Sequence, residues 1–212
     1  QEACARRHAL RRARDLAGSL DGLLDRIPHA FGVEPGEAPD SFAARFWAET
    51  ERPVLEAARA AYRDFGGKRD QGRGDKLQAA LDAIETEPLL ALERYLAFRF
   101  TKDGELAKSM TDKAVAEAAP VVAALFAEGS PETQRIEAAK DRLADLSDAR
   151  ATAAALRVAH AVIDAYEAGL ARDRAVDFSD LIVRAGALLT NADARDWARY
   201  KLDQGLDHVL VE

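Results

Sequence analysis

The sequence contains little cysteine, glycine or proline, and it has no long hydrophobic run. Its single cysteine, Cys4, excludes an internal disulfide framework and a cysteine-based zinc site. No window approaches the roughly 18 uninterrupted apolar residues that a membrane-spanning helix requires. The arginine-rich start, residues 1–14, lacks the apolar segment of a secretory signal. These absences favour a cytoplasmic protein over a secreted or membrane-embedded one.

Catalytic motifs are also missing. The four histidines lie far apart and lack the i, i+4 pairing of a helical zinc site; they are His8, His29, His160 and His208. There is no nucleophile elbow. There is also no phosphate-binding loop, because Gly66-Gly67-Lys68 follows a predicted helix and lacks the rest of that motif. We therefore expect no catalytic residue and no metal site in this chain.

The amino-acid composition of the chain favours helices. The 212 residues include only 13 glycines and 7 prolines, while alanine and leucine dominate the apolar share. The formal net charge is −7, from 30 basic and 37 acidic residues. We predict a mainly α fold, in which several short helices pack against one long spine helix and a β-strand stub stands at the carboxyl end.

The spine helix is predicted from about Ser130 to Leu170. Ser130 is a typical capping residue, and Pro131 suits the first helical position. Apolar residues then recur at spacings of three, four and seven, and no helix breaker occurs until about Gly169. The helix should therefore contain roughly 40 residues and extend for about 60 Å. His160 lies on its apolar side, where a hydrogen-bonded core histidine is expected.

Shorter helices are predicted before and after the spine. Their approximate ranges are 3–18, 40–51, 53–65, 75–84, 88–98, 112–128 with a break before Pro120, 177–189 and 191–204. Asp40 and Asp177 are the expected caps of two of these helices. Two aromatic pairs stand at helical spacings that indicate core positions and not base stacking: Phe46 with Trp47, and Trp197 with Tyr200.

Two basic segments are the candidate functional sites. The first has five arginines within nine residues of a predicted helix: Arg6, Arg7, Arg11, Arg12 and Arg14. The second, residues 67–74, has no apolar side chain and is therefore predicted to be an exposed, mobile loop. Three cations lie in this segment, Lys68, Arg69 and Arg73, and a fourth, Lys76, follows it.

Two interpretations of these cations remain open. They contact DNA phosphates, or they form solvated faces that pair with acids elsewhere in a net-acidic protein. Exposure of the five arginines discriminates between the two. A continuous basic face supports DNA contact, whereas arginines paired with acids support packing.

The end of the chain suggests a fragment. Residues 208–211 form an unbroken apolar run that is typical of a strand in a buried parallel sheet, yet no other strand is predicted to pair with it. The sequence also begins without methionine and stops at Glu212, immediately after this short run. We therefore expect the chain to be a piece of a longer protein.

The last third of the sequence carries a recognisable pattern. Residues 176–182, Val-Asp-Phe-Ser-Asp-Leu-Ile, and residues 197–211, which end in Asp-His-Val-Leu-Val, resemble the stretch before the Walker B motif of UvrD-like superfamily 1 helicases. The similarity is greatest to the AddA family of alphaproteobacterial helicase-nuclease subunits in double-strand-break repair. Residues 66–71 and 99–105 also resemble that family. The order and spacing of these pieces carry the resemblance over most of the chain.

The resemblance implies a part of a larger bacterial, cytoplasmic motor. Residues 1–172 correspond to a helical insertion of the type called 1B. Residues 173–212 correspond to the segment that returns to the first RecA-like ATPase domain and ends at the Walker B strand. ATP and magnesium are implied as cofactors of the complete motor. The implied partners are DNA, the remainder of the helicase chain and an AddB-type subunit.

One departure from the family pattern concerns the Walker B acids. The family usually follows this strand with Asp-Glu, whereas here Glu212 follows Val211 and the sequence ends. Glu212 either replaces that aspartate, as a Walker B position of the complete motor only, or does not belong to the native sequence. Asp177 and Asp180 are explained by capping. We expect a non-catalytic fragment that contributes sequence-independent DNA contacts and domain or subunit packing. The alternative is a purely structural interaction module without DNA contact.

Overall fold

The computed structural model describes residues 2–190, 196–197 and 200–201. The described chain is mainly α-helical, as the composition predicts. Its helices are α1 (Glu2–Leu16), α2 (Leu20–Leu24), α3 (Arg26–Ala30), α4 (Pro39–Ala48), α5 (Arg52–Phe65), α6 (Lys68–Ala83), α7 (Pro88–Arg99), α8 (Lys113–Ala118), α9 (Pro120–Leu125), α10 (Pro131–Arg172) and α11 (Phe178–Thr190). None of these helices is long and apolar enough to cross a membrane.

Extended structure is nearly missing from the described residues. It consists there of a single antiparallel bridge between Phe100 and Leu106, which closes the turn after α7. The predicted strand at 208–211 lies outside the described residues, as does most of the predicted helix at 191–204.

The chain forms two compact units. The central unit is Asp25–Thr152, and the terminal unit combines Gln1–Leu24 with Ala153–Glu212. These units differ from the predicted division into residues 1–172 and 173–212. That division follows from the resemblance and stays a prediction.

The central unit is built around an aromatic cluster. Phe46 and Trp47 of α4 meet edge to face, with ring centroids 5.3 Å apart. Tyr95 and Phe98 of α7 stack at 6.0 Å, and Trp47 lies 5.5 Å from Tyr95. The Trp47 indole N–H donates to the carbonyl of Pro88 at 2.9 Å, so its one polar group is satisfied on burial. The predicted core positions of Phe46 and Trp47 are confirmed.

Proline and serine signals set the helix boundaries of this unit. The predicted break before Pro120 is confirmed, because Ala119 leaves the helical conformation with a φ of −137° between α8 and α9. The predicted spine helix is also confirmed: α10 has 42 residues, and its Thr133 N–H donates to the Ser130 hydroxyl at 3.2 Å. Proline lacks an N–H, so Pro131 removes a donor that would have no partner in a first turn.

The start of α4 differs from the prediction. Asp40 was the expected cap, but the capping position is Ala38, whose N–H donates to the Ser41 hydroxyl at 3.0 Å. The assignment of Asp40 as the cap is therefore wrong, since Asp40 lies inside the first turn. The Ser41 hydroxyl, at the third helical position, instead accepts from the N–H of the residue that precedes the helix, Ala38.

The terminal unit also departs from the predictions in part. His160 of α10 is fully buried as predicted, but neither ring nitrogen has a hydrogen-bond partner among the described residues. The predicted core positions of Trp197 and Tyr200 are wrong, because these side chains are 64% and 60% exposed. The cap of α11 is as predicted: the N–H of Asp180 donates to the Asp177 carboxylate at 2.8 Å. This donation lowers the pKa of Asp177 below its ordinary value.

Candidate nucleic-acid interface

The arginine-rich helix α1 is paired with acids inside the terminal unit. Arg7 is only 8% exposed and forms ion pairs with Asp177 at 2.8 Å and Asp180 at 2.9 Å. Its guanidinium also lies over the Tyr166 ring, 5.1 Å from the centroid. Arg7 therefore joins α1 to the capped start of α11 and to α10, and it is not accessible to a phosphate.

Two further arginines of α1 have acidic partners. Arg11 pairs with Glu167 at 2.6 Å, and Arg14 pairs with Asp164 at 3.0 Å. Arg6 and Arg12 are the two that lie exposed. The five arginines thus do not form one continuous basic face. A continuous basic face was the feature expected of a DNA contact. The pairing of Arg7, Arg11 and Arg14 with acids instead supports a role in packing.

The segment predicted to be a mobile loop is the first half of helix α6. This prediction is wrong, since residues from Lys68 onward are helical. The physical reason is a buried charge pair in place of an apolar stripe. Asp70 is fully buried; it accepts from the Arg73 guanidinium at 2.6 Å and from the Asp112 N–H at 2.7 Å. A buried carboxylate with this much compensation holds this half of the helix in the absence of hydrophobic side chains.

The amino end of α6 already has an anionic partner. The Gly67 N–H donates to the Asp112 carboxylate at 3.2 Å, and the same carboxylate caps α8 by accepting from the Val115 N–H at 3.0 Å. The donations from Val115 and Gly67 lower the pKa of Asp112 below its ordinary value. A carboxylate of the chain itself thus compensates the partial positive charge at the amino end of α6.

The cations of α6 divide into one structural and three exposed residues. Arg73 is nearly buried, since it pairs with Asp70 and also donates to the carbonyl of Ser109. Lys68, Arg69 and Lys76 are exposed. These three positions lie on one face of the helix, because they are separated by one, seven and eight residues. They form the candidate interface, and we call them the α6 cations.

A buried cation outside both basic segments was not predicted. Arg99 of α7 donates to the carbonyls of Ala107 at 2.8 Å and Phe126 at 3.0 Å, and to the Thr133 hydroxyl at 3.1 Å. Burial lowers its pKa. It lines a cavity of about 530 Å³ together with residues 106–111. Because its acceptors come from three separate segments, Arg99 ties those segments together, and we assign it to structure and not to ligand binding.

Among the described residues, no group of histidine, cysteine, aspartate and glutamate side chains could hold a metal ion. The sequence interpretation missed Asp70 and Asp112 as the residues that organise α6. The spacing of Asp70 and Arg73, three apart, was a signal for their pairing on a helix. No local signal in the sequence connects Asp70 to Asp112.

Comparisons of the chain with protein-family models, with curated proteins and with solved structures find no match. The resemblance to UvrD-like helicases therefore rests on the sequence pattern alone.

Proposed function

We propose that the chain is a non-catalytic helical region of an ATP-dependent DNA helicase-nuclease that acts in double-strand-break repair. It packs against the remainder of the motor chain and an AddB-type subunit, and it adds sequence-independent contacts to DNA. Residues 1–172 are the 1B-like insertion. Residues 173–212 return to the first RecA-like domain, whose Walker B strand includes residues 208–211. ATP and magnesium belong to the complete motor.

An exposed apolar stripe on α11 is the observation that carries this proposal. Five large apolar side chains recur at helical spacing and are 37 to 76% exposed: Phe178, Leu181, Ile182, Leu188 and Leu189. A surface helix of a complete domain normally turns such a stripe toward a core. Within the described residues nothing buries it. The stripe begins in the segment that resembles the return to the motor domain, so the motor domain is its proposed partner.

Packing is tested by direct binding to a motor domain. The 212-residue chain is titrated calorimetrically into an AddA-family motor domain that lacks its own helical insertion. We expect saturable binding that Phe178→Asp combined with Ile182→Asp abolishes, because the charges would be buried without partners. Val121→Asp is the control, since Val121 is 71% exposed and lies in the central unit. An absence of binding by the unaltered chain contradicts the packing proposal.

DNA contact is tested by a salt-dependent titration. The unaltered chain should bind short duplex DNA weakly, with an affinity that falls steeply as salt rises. Replacing the three α6 cations by alanine should flatten the log-log salt dependence by about 0.9 for each phosphate that is no longer neutralised. In the control variant, alanine replaces an equal number of other exposed cations of the central unit: Lys102, Lys113 and Arg150. Its salt dependence should match that of the unaltered chain.

A purely structural interaction module is the second candidate function. The observation that favours it is the pairing of Arg7, Arg11 and Arg14 with acids, which leaves fewer cations for DNA. This candidate predicts binding to the motor domain and no salt-dependent binding to DNA at low ionic strength. The two titrations together therefore separate it from the helicase proposal.

A further inference from the structure

Gly72 occupies a helix interior without a structural reason. It is the fifth residue of α6 (Lys68–Ala83), where glycine is less favourable than alanine because the backbone loses more freedom on folding. A Cβ at Gly72 would meet no atom within 4 Å. Gly74, two residues later, differs, because its Cβ would stand 3.2 Å from the Cβ of Tyr62. Packing thus explains the glycine at 74 but not the one at 72.

The α6 cations surround this open position. Lys68 precedes Gly72 by four residues, Arg69 precedes it by three, and Lys76 follows it by four, so all three neighbour Gly72 on the helix surface. Asp75 is the exposed acid beside them. The face nevertheless keeps an excess of two positive charges over this acid.

We infer that this face of α6 sits directly on the phosphodiester backbone of duplex DNA, with Gly72 as the point of closest approach. The inference rests on the proposed DNA contact and deepens it. Without a side chain at 72, a phosphate can approach the helix backbone while the cations reach around it from both sides. Lys68 and Lys76 are separated by about 12 Å along the helix. Measured along the axis of a B-form duplex, that distance covers about three to four phosphates of one strand, which are spaced about 3.4 Å apart on the axis.

A duplex fits this face better than a single strand. Single strands are held largely by aromatic side chains on which their bases stack, and residues 68–76 include no aromatic residue. Cations on a rigid helix present a fixed spacing, which matches the regular phosphate spacing of a duplex. Contacts of this kind position a protein on DNA and do not read its sequence.

The test is Gly72→Gln, measured by anisotropy of a labelled duplex at about 50 mM salt. Glutamine is a better helix former than glycine, so the variant should melt at a higher temperature than the unaltered chain. We expect its duplex affinity to fall about tenfold, which is the effect of removing one phosphate contact at that salt concentration. Gly186→Gln is the matched control, because Gly186 is exposed inside α11 and its Cβ would also meet open space. Its duplex affinity should stay unchanged.

The possible outcomes distinguish a failure of this inference from a failure of the proposed DNA contact. If Gly72→Gln binds duplex as well as the unaltered chain does, while replacing the α6 cations still flattens the salt dependence, Gly72 is not the contact point and only the inference fails. If the unaltered chain binds no duplex at low salt, the proposed DNA contact fails as well. Tighter binding to a single-stranded oligonucleotide than to the duplex overturns the choice of duplex.

Discussion

Two buried tyrosines of the central unit differ in what their hydroxyl groups contact. Tyr62 and Tyr95 are both fully buried, and burial raises the pKa of both phenols, so both are neutral in the folded protein. The Tyr95 hydroxyl donates to the Glu132 carboxylate at 2.6 Å. The Tyr62 hydroxyl has no partner among the described residues. The same substitution, tyrosine to phenylalanine, should therefore change stability in opposite directions at the two sites.

The magnitudes follow from the cost of burying polar groups. An unsatisfied buried hydroxyl costs about 1–3 kcal/mol. Tyr62→Phe removes that cost and keeps the ring, whose centroid lies 6.1 Å from that of Phe98. We expect stabilisation by about 1 kcal/mol. Tyr95→Phe removes a hydrogen bond to a charged acceptor, and we expect destabilisation by about 2 kcal/mol. The pairing of Glu132 with Arg135 at 2.8 Å persists and limits this effect.

The assay is urea unfolding followed by tryptophan fluorescence. The chain has two tryptophans, so Trp197→Phe leaves Trp47 as the single reporter, and Trp47 lies in the same aromatic cluster as Tyr95. Stability changes are taken from the shift in the urea midpoint at constant slope. If Tyr62→Phe destabilises the protein as much as Tyr95→Phe does, the Tyr62 hydroxyl has a partner, such as an internal water. That result refutes the reasoning.

Four further outcomes are expected. Asp70→Asn should destabilise the central unit by about 3 kcal/mol, because Arg73 loses its buried counter-charge, and hydrogen exchange should show faster opening of α6. Arg7→Met should lower the melting temperature without weakening duplex binding, since Arg7 is paired with acids and inaccessible. Donation from the Val115 N–H lowers the pKa of Asp112. The Asp112 carboxylate therefore stabilises the folded protein fully above about pH 4, and this contribution is lost as the pH falls through the lowered pKa. Asp112→Asn should flatten the acid side of a series of thermal melts. The chain alone should release no phosphate from ATP with or without DNA, because its sequence contains no phosphate-binding loop with the backbone amides and lysine that position the phosphates.

The local signals of the sequence predicted the helices well. The cap at Ser130, the break before Pro120 and the cap at Asp177 are all confirmed, and so is the length of the spine helix. Each of these caps and breaks depends on residues within three or four positions of one another. Such interactions are present whenever the chain is helical, so sequence spacing was sufficient to identify these three, although it misplaced the cap of α4.

The same reasoning did not predict that the first half of α6 is helical. Helix prediction depends on the periodicity of apolar residues, and residues 67–74 have none. What holds this segment is the contact of Asp70 with the backbone of Asp112, forty-two residues away. The electrostatic gain of a buried carboxylate depends on where distant donors lie, and no short window of sequence contains that information.

Composition and spacing were sufficient to predict a mainly α chain, the boundaries of most of its helices and the positions of its two clusters of positive charge. They were not sufficient to tell which of those charges remain available. Arg7 and Arg11 are paired with carboxylates that lie far away in the sequence, while Lys68, Arg69 and Lys76 face solvent, and the folded arrangement alone separates the two groups. Helix formation is local and follows spacing along the chain, whereas the pairing of charges depends on which helices pack together.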